Sequence, residues 1–289
     1  MYLCNRFVIM KRLFLYVQFL ILTTFANATG QESDIIFIDG AKWELLGRPV
    51  CADSTLYYNL KAVLPKERSI STANWDGFTA FWSITQDKLY LDSIRCIYYD
   101  SHLNVYVGKR IPTDTLRHVF RKYVDENRIL ASWLTQDVRV ASGKVIYYQH
   151  LGFERNYEEE KILRVNQGKI IGQNVFHNFF VEGFSFDRAG PDFQAKLKKM
   201  FPLHIERYQE LADVKRIVFS IKRASVDAEG NLVECELKVF KPEVDNRLAE
   251  EMTALMKAYK PWRALYINGE FRAYGIEGYT FPYVIDKQN

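Results

Sequence analysis

The chain has 289 residues, 48% of them hydrophobic and 26% charged, enough apolar material for one large or two ordinary cores, which excludes a wholly disordered protein. Its formal net charge is only +4 and no basic stripe runs through it, so neither nucleic acid nor an anionic membrane is an expected partner. The cluster Lys196, Lys198 and Lys199 reads as the solvated face of a helix.

At the N-terminus, Lys11-Arg12, the apolar run Leu13 to Phe25 and Ala26-Asn27-Ala28 supply the charged, hydrophobic and small-residue parts of a secretory signal. The apolar run is shorter than the roughly 20 residues that a membrane-spanning helix needs. Residues 1–28 are therefore read as a signal peptide cleaved near Ala28, giving a periplasmic or secreted protein. Cleavage would remove Arg6, Lys11 and Arg12 and no acid, leaving the mature chain close to neutral. An uncleaved anchor is the competing reading, and Thr29 as the first residue of the mature protein would rule it out.

Residues 35–187 read as a β-rich antiparallel domain. Short β-type runs occur at Ile35 to Ile38, Val105 to Val107 and Val145 to Tyr148. Phe78, Ala80, Trp82 and Ile84 alternate with polar or small neighbours, and Gln86-Asp87 turns the chain into Lys88 to Ile94. A second hairpin is expected from Lys161 to Ile171 about Asn166-Gln167-Gly168-Lys169, and the strand spacing suggests a sheet that curls or packs upon itself. One helix interrupts it, from Thr113 to Leu130, where Leu116, Val119, Phe120, Tyr123 and Val124 recur at helical spacing, with Thr113 or Asp114 as cap.

Arg188-Ala189-Gly190-Pro191 breaks regular structure and places the domain boundary. The second domain, 192–286, opens with a short lead-in helix from Asp192 to Met200. From Val214 to Ile285 the order is strand, turn, strand, amphipathic helix, strand. Val233, Cys235, Leu237 and Val239 alternate with Glu234, Glu236 and Lys238, the period of a half-buried strand. After Pro242, Val244, Leu248, Met252, Leu255 and Met256 share one helical face.

These features, with the Glu229-Gly230-Asn231 turn, the helix opening around Asp245, Lys260-Pro261-Trp262, the Asn268-Gly269 turn and an aromatic strand containing Pro282, resemble the C-terminal domain of TonB-type energy transducers. The resemblance covers about the last quarter of the chain. It implies an α+β protein whose small β-β-α-β domain binds an extended peptide along its sheet edge, with Tyr279, Phe281 and Tyr283 supplying side-chain pockets and Trp262 bracing the helix. A working energy transducer also needs an anchored N-terminus and a long proline-rich linker, whereas this chain has eight scattered prolines and a folded region in the linker's place.

No catalytic, metal or cofactor site is expected. The five histidines lie outside nucleophile, metal and acid-base motifs, and no two cysteines or histidines stand at ligand spacing. Glu158-Glu159-Glu160 reads as a solvated strand approach, and Arg48-Pro49 as a plain turn. Cys51 and Cys96 could pair in an oxidising compartment, while Cys235 reads as a small core side chain. The sequence thus reads as a binding or adaptor protein of the cell envelope, its partner an envelope protein or an extended peptide segment, with membranes reached only through that partner. Two alternatives stand beside it: an energy transducer with an uncleaved anchor, and a glycan-binding protein or enzyme using the β-rich domain around Trp75, Trp82 and His150.

Overall fold

The computed structural model describes residues 30–186, 192–273 and 275–285. The proposed signal segment and the Arg188–Pro191 bend lie outside the described residues. The chain divides into two compact units, Met1–Val175 and Phe176–Asn289, and is α+β, with strand outweighing helix. The division falls before the expected boundary because Phe184 and Phe186 are buried in the core of the second unit.

The first unit is a sheet that closes on itself. β1 (Asp34–Ile38) and β2 (Ala41–Leu45) form a hairpin about Asp39-Gly40, both at positive φ. The helix α1 (Ser54–Val63) follows, and β3 (Phe78–Thr85) then returns beside β1. That pairing is parallel, with Ile36 opposite Trp82, so the expectation of a purely antiparallel sheet is corrected. The intervening hairpin strand and helix carry the chain back to the starting end, as a parallel connection requires. β4 (Lys88–Asp100) pairs with β3, with β7 (Arg128–Leu130) and with β5 (Val105–Arg110). The long strands β8 (Gln136–Tyr148) and β9 (Arg155–Asn166) and then β10 (Lys169–His177) complete the path. In order, β10-β9-β8-β2-β1-β3-β4 forms a ring that a bridge from Lys169 to Lys88 closes. Inside lie Ile36, Leu45, Leu60, Phe78, Trp82, Leu89, Ile94 and Phe120.

Two helical expectations change. The helix α1 was not anticipated, although Leu56 and Leu60 sit on one face and Asp53 caps it by accepting from the Leu56 N–H at 2.9 Å. The Thr113 to Leu130 helix shrinks to α2 (Thr113–Val119), with Pro112 at its cap position and no side-chain cap bond. Phe120 leaves the helical region, and Glu126 and Asn127, at φ 45° and 73°, turn β6 (Val124–Asp125) into β7. The later apolar residues therefore follow a hairpin period, not a helical one.

The second unit is built on β12 (Arg216–Val226), which lies between β13 (Leu232–Lys241) and β16 (Gly275–Val284), both antiparallel to it. α4 (Arg247–Ala258) packs along β13, burying Leu248, Met252 and Met256. A second small sheet joins β11 (Phe179–Val181), β14 (Ala264–Ile267) and β15 (Glu270–Arg272), the last two about Asn268-Gly269. α3 (Phe193–Met200) lies against β16. The sheet core contains Ile217, Phe219, Ile221 and Phe281, joined by Cys235, Leu237 and Val239. Val233 departs from its expected face: a register shift between Ser225 and Val226 buries Leu232 and leaves Val233 exposed.

Trp262 is the hub of this unit. It is buried, its ring stands 5.0 Å from Phe184 and 5.9 Å from Phe201, and its Nε1–H donates to the Met256 carbonyl at 3.0 Å near the end of α4. Its backbone N–H donates to the Gly230 carbonyl at 2.8 Å, tying the β12–β13 turn to the Lys-Pro-Trp element.

Candidate functional site

The outer edge of β16 is the candidate site, and its side chains and backbone do different work. Phe281 and Tyr283 are buried and Tyr279 is half-buried. Phe281 stacks between Phe186 and Phe219, with ring centroids 4.7 and 5.4 Å away. The Tyr283 hydroxyl accepts from the Leu203 N–H and donates to the Phe201 carbonyl, each at 3.2 Å, and the Tyr279 hydroxyl donates to the Phe186 carbonyl at 3.1 Å. These three side chains hold the strand to its own core, which corrects their expected role as walls of partner pockets. What β16 turns outward is its backbone.

Among the described residues β16 ends the sheet, with β12 on one flank and no strand on the other. On the open flank the Gln194 amide of α3 donates to the Pro282 carbonyl at 2.8 Å and accepts from the Val284 N–H at 3.0 Å, occupying two groups that a neighbouring strand would use. Because both groups of alternate residues face the same side, Pro282 stands where its missing N–H costs no bond to β12. The Thr280 N–H faces outward by the same alternation. No charged residue occurs from Gly278 to Ile285. The opposite edge differs: β13 carries Glu234, Glu236, Lys238 and Lys241, and Arg223–Glu234 and Lys222–Glu236 pairs at 2.6 and 2.7 Å span its junction with β12. Charged edge strands resist pairing, so β16 is the more receptive border.

The first unit contains a buried polar network that the sequence reading missed. Asp34 is fully buried; its Oδ1 accepts from the Ala80 N–H at 3.0 Å and from Arg48 at 3.2 Å, and its Oδ2 from the Trp82 indole at 3.1 Å. Burial pushes the Asp34 carboxyl up to about 6, against the pull of the Arg48 charge. Arg48 also donates to the Phe78 carbonyl at 2.7 Å and to Asn74 at 3.2 Å. Thus the plain turn at Arg48-Pro49 anchors the end of the ring. Its only sequence signal was an acid at the start of an apolar strand.

A second cluster joins Glu44 to Ser33 at 2.8 Å, Tyr157 at 2.5 Å and Arg155 at 3.5 Å. Burial raises Glu44, but the two hydroxyl bonds and the Arg155 charge outweigh it and hold the carboxyl below its usual range. Glu160 is buried, accepting from the Tyr157 N–H at 2.9 Å and from Asn156, and Glu158, half-buried, accepts from the Lys144 N–H at 2.9 Å, so the acidic run is not the solvated approach expected of it. Both clusters are structural pins of the ring.

The residues grouped around the β-rich alternative are not gathered into one site. Trp82 is enclosed in the core, while Trp75 and His150 are exposed, His150 lying edge-on to Tyr148. Cys51, Cys96 and Cys235 are free, Cys51 exposed, Cys96 buried and Cys235 half-buried. A cleft of about 510 Å³ lies between α1 and the α2 segment, lined in part by Asp53, Asn59, His118 and Tyr123, but the Asp53 carboxylate there is engaged by Leu56 and Tyr123. Among the described residues no cluster of acids, histidines or cysteines could hold a metal ion. No protein-family model, curated protein or solved structure matches this chain.

Proposed function

We propose that this is an exported binding or adaptor protein of the cell envelope, not an enzyme, and that its TonB C-terminal-like domain recognises an envelope protein by adding an extended segment to the border of β16. The observation that carries this reading is the terminal strand, uncharged from Gly278 onward, two of whose outward groups are held by one side-chain amide. An incoming strand would supply an N–H and a carbonyl in place of the Gln194 amide, so the exchange conserves hydrogen bonds and costs little. Affinity would come from the main chain, and selectivity from contacts with the exposed side chains of Thr280, Pro282 and Val284.

Deleting 279–285 would strip Phe281 and Tyr283 from the core, so a finer test is Thr280→Pro. This substitution removes an outward donor and spares the ladder to β12. With a photoreactive side chain at exposed Glu277, crosslinks to the envelope partner should be lost in Thr280→Pro while thermal unfolding of the domain is unchanged. Undiminished crosslinking in a folded Thr280→Pro protein rules out strand addition at this border.

A further inference from the structure

A cleft of about 330 Å³ opens at one end of the ring in the first unit. The tips of the β1–β2 and β3–β4 hairpins both lie at this end, because β1 and β3 run parallel. Ile38, Ile84, Leu163 and Ile170 form the apolar wall. All four belong to the buried core or pack against it, so the cleft is the open end of that core. Its volume lies at the lower end of the range of about 300–1,000 Å³ for small-molecule sites.

One cation is built into that wall. Lys161 stands opposite Val140 in the β8–β9 pair, and Val140 is fully buried in the core. Residues opposite each other in a ladder share a face, so Lys161 points inward, where alternation with buried Leu163 and Val165 calls for an apolar side chain. It is half-buried, its ammonium lies 4.7 Å over the Trp43 ring, and it makes no ion pair among the described residues. Trp43 faces the same way: it stands opposite Ile36 and packs against the core. An ammonium drawn partly out of water, with one aromatic face to compensate it, is an incomplete arrangement that an anion would complete. Two acids also line the cleft, Asp39 and Asp87, but both are exposed on the hairpin tips, where solvent and salt weaken their field.

We propose that this cleft binds a small amphipathic anion, a short aliphatic carboxylate, with its hydrocarbon on Ile38, Ile84, Leu163 and Ile170 and its carboxylate on the Lys161 ammonium. Removing the hydrocarbon from water supplies affinity, and the charge-assisted bond to Lys161 selects the acid over the matching alcohol or amine. Gly172 leaves room for the chain: it lines the cleft, and a Cβ there would meet nothing nearer than the Arg164 guanidinium at 4.0 Å. The site belongs to the first unit alone and does not depend on the β16 border.

The test titrates octanoate, octanol and octylamine into the full chain by calorimetry. Octanoate should bind the native protein more tightly than either of the others. Lys161→Gln should weaken octanoate by about tenfold or more, to the level of octanol, and leave octanol unchanged. Gly172→Phe, which fills the cleft, should abolish binding of both with unchanged circular dichroism. In the native protein, and with no substitution at all, octanoate should slow acetylation of the Lys161 amine, read by peptide mass. Four results overturn the proposal: no saturable octanoate binding, a preference for octylamine, which would give the cleft to Asp39 and Asp87, octanoate affinity unchanged in Lys161→Gln, or Lys161 acetylation indifferent to octanoate.

Discussion

The side-chain amide of Gln194 donates to the carbonyl of Pro282 at 2.8 Å, so a helix residue occupies a place on the sheet border that another strand would fill. The same amide accepts from the Val284 N–H. A glutamine cannot continue the ladder, so it shields the border without extending the sheet.

Gln194→Ala should therefore unmask both groups. Amide exchange at Val284 is expected to accelerate, global stability to fall by no more than about 1 kcal/mol because the groups can turn to water, and partner capture to strengthen. Hydrogen exchange with mass detection reads the first effect; an unchanged Val284 rate would mean the amide does not guard the strand.

Tyr283→Phe separates the core role of this side chain from a role in recognition. It removes the hydroxyl that serves both Leu203 N–H and the Phe201 carbonyl, leaving buried backbone groups unpaired at a cost of about 1–3 kcal/mol. Urea unfolding of the second unit should show that loss, with crosslinking from Glu277 unaffected in the folded protein. A substitution that spared stability and abolished capture would restore Tyr283 to the partner surface.

Two glycines meet the Trp262 backbone and should resist replacement. A methyl at Gly183 would lie 2.5 Å from the Trp262 carbonyl carbon, and one at Gly230, whose φ is +76°, would lie 2.8 Å from the Trp262 oxygen. Gly183→Ala and Gly230→Ala are each expected to lose about 1–3 kcal/mol or more of stability, with Gly269→Ala, which meets nothing within 4 Å, losing less. Parallel denaturation curves rank the three.

Asp34 makes the first unit sensitive to pH with a definite sign. Its native carboxyl, raised to about 6 by burial, holds a proton that the unfolded chain, at 3.8, has already released. The native state therefore binds more protons over this window. Its stability contribution is full below about pH 4 and is lost as pH rises through 6, on the order of 2–3 kcal/mol. Asp34→Asn should flatten that slope, while lowering stability at neutral pH by about 3–5 kcal/mol because Arg48 loses its buried counter-charge. Denaturation midpoints across pH 4 to 7 test both effects, and an unchanged slope in Asp34→Asn would assign it to other groups.

Where one face was wet and the other dry, the period of the sequence was readable: Phe78 to Ile84, Cys235 to Val239 and Leu248 to Met256 all appear as expected. The reading failed where tertiary contacts chose between local options. Leu116 to Val124 has a helical spacing, yet two residues at positive φ turn its end into a hairpin. At the candidate site, the aromatic residues of β16 were visible but their direction was not, since either face of an edge strand suits an aromatic ring. Gln194 could not be anticipated at all, because its partners lie far along the chain and leave no local pattern. The Asp34–Arg48 pair was hidden for the same reason.

The ring of the first unit has a seam. Most neighbouring strands share several residue pairs, but β10 meets β4 through the single Lys169–Lys88 bridge, reinforced by bonds from Leu89 N–H to Gly168 and from Ile170 N–H to Asp87. Two lysines stand opposite each other there, and the Lys88 ammonium turns away to Asp125 at 3.1 Å. Breathing of the barrel should begin at this joint, with the stave from Lys169 onward peeling off β4 while its pairing with β9 persists.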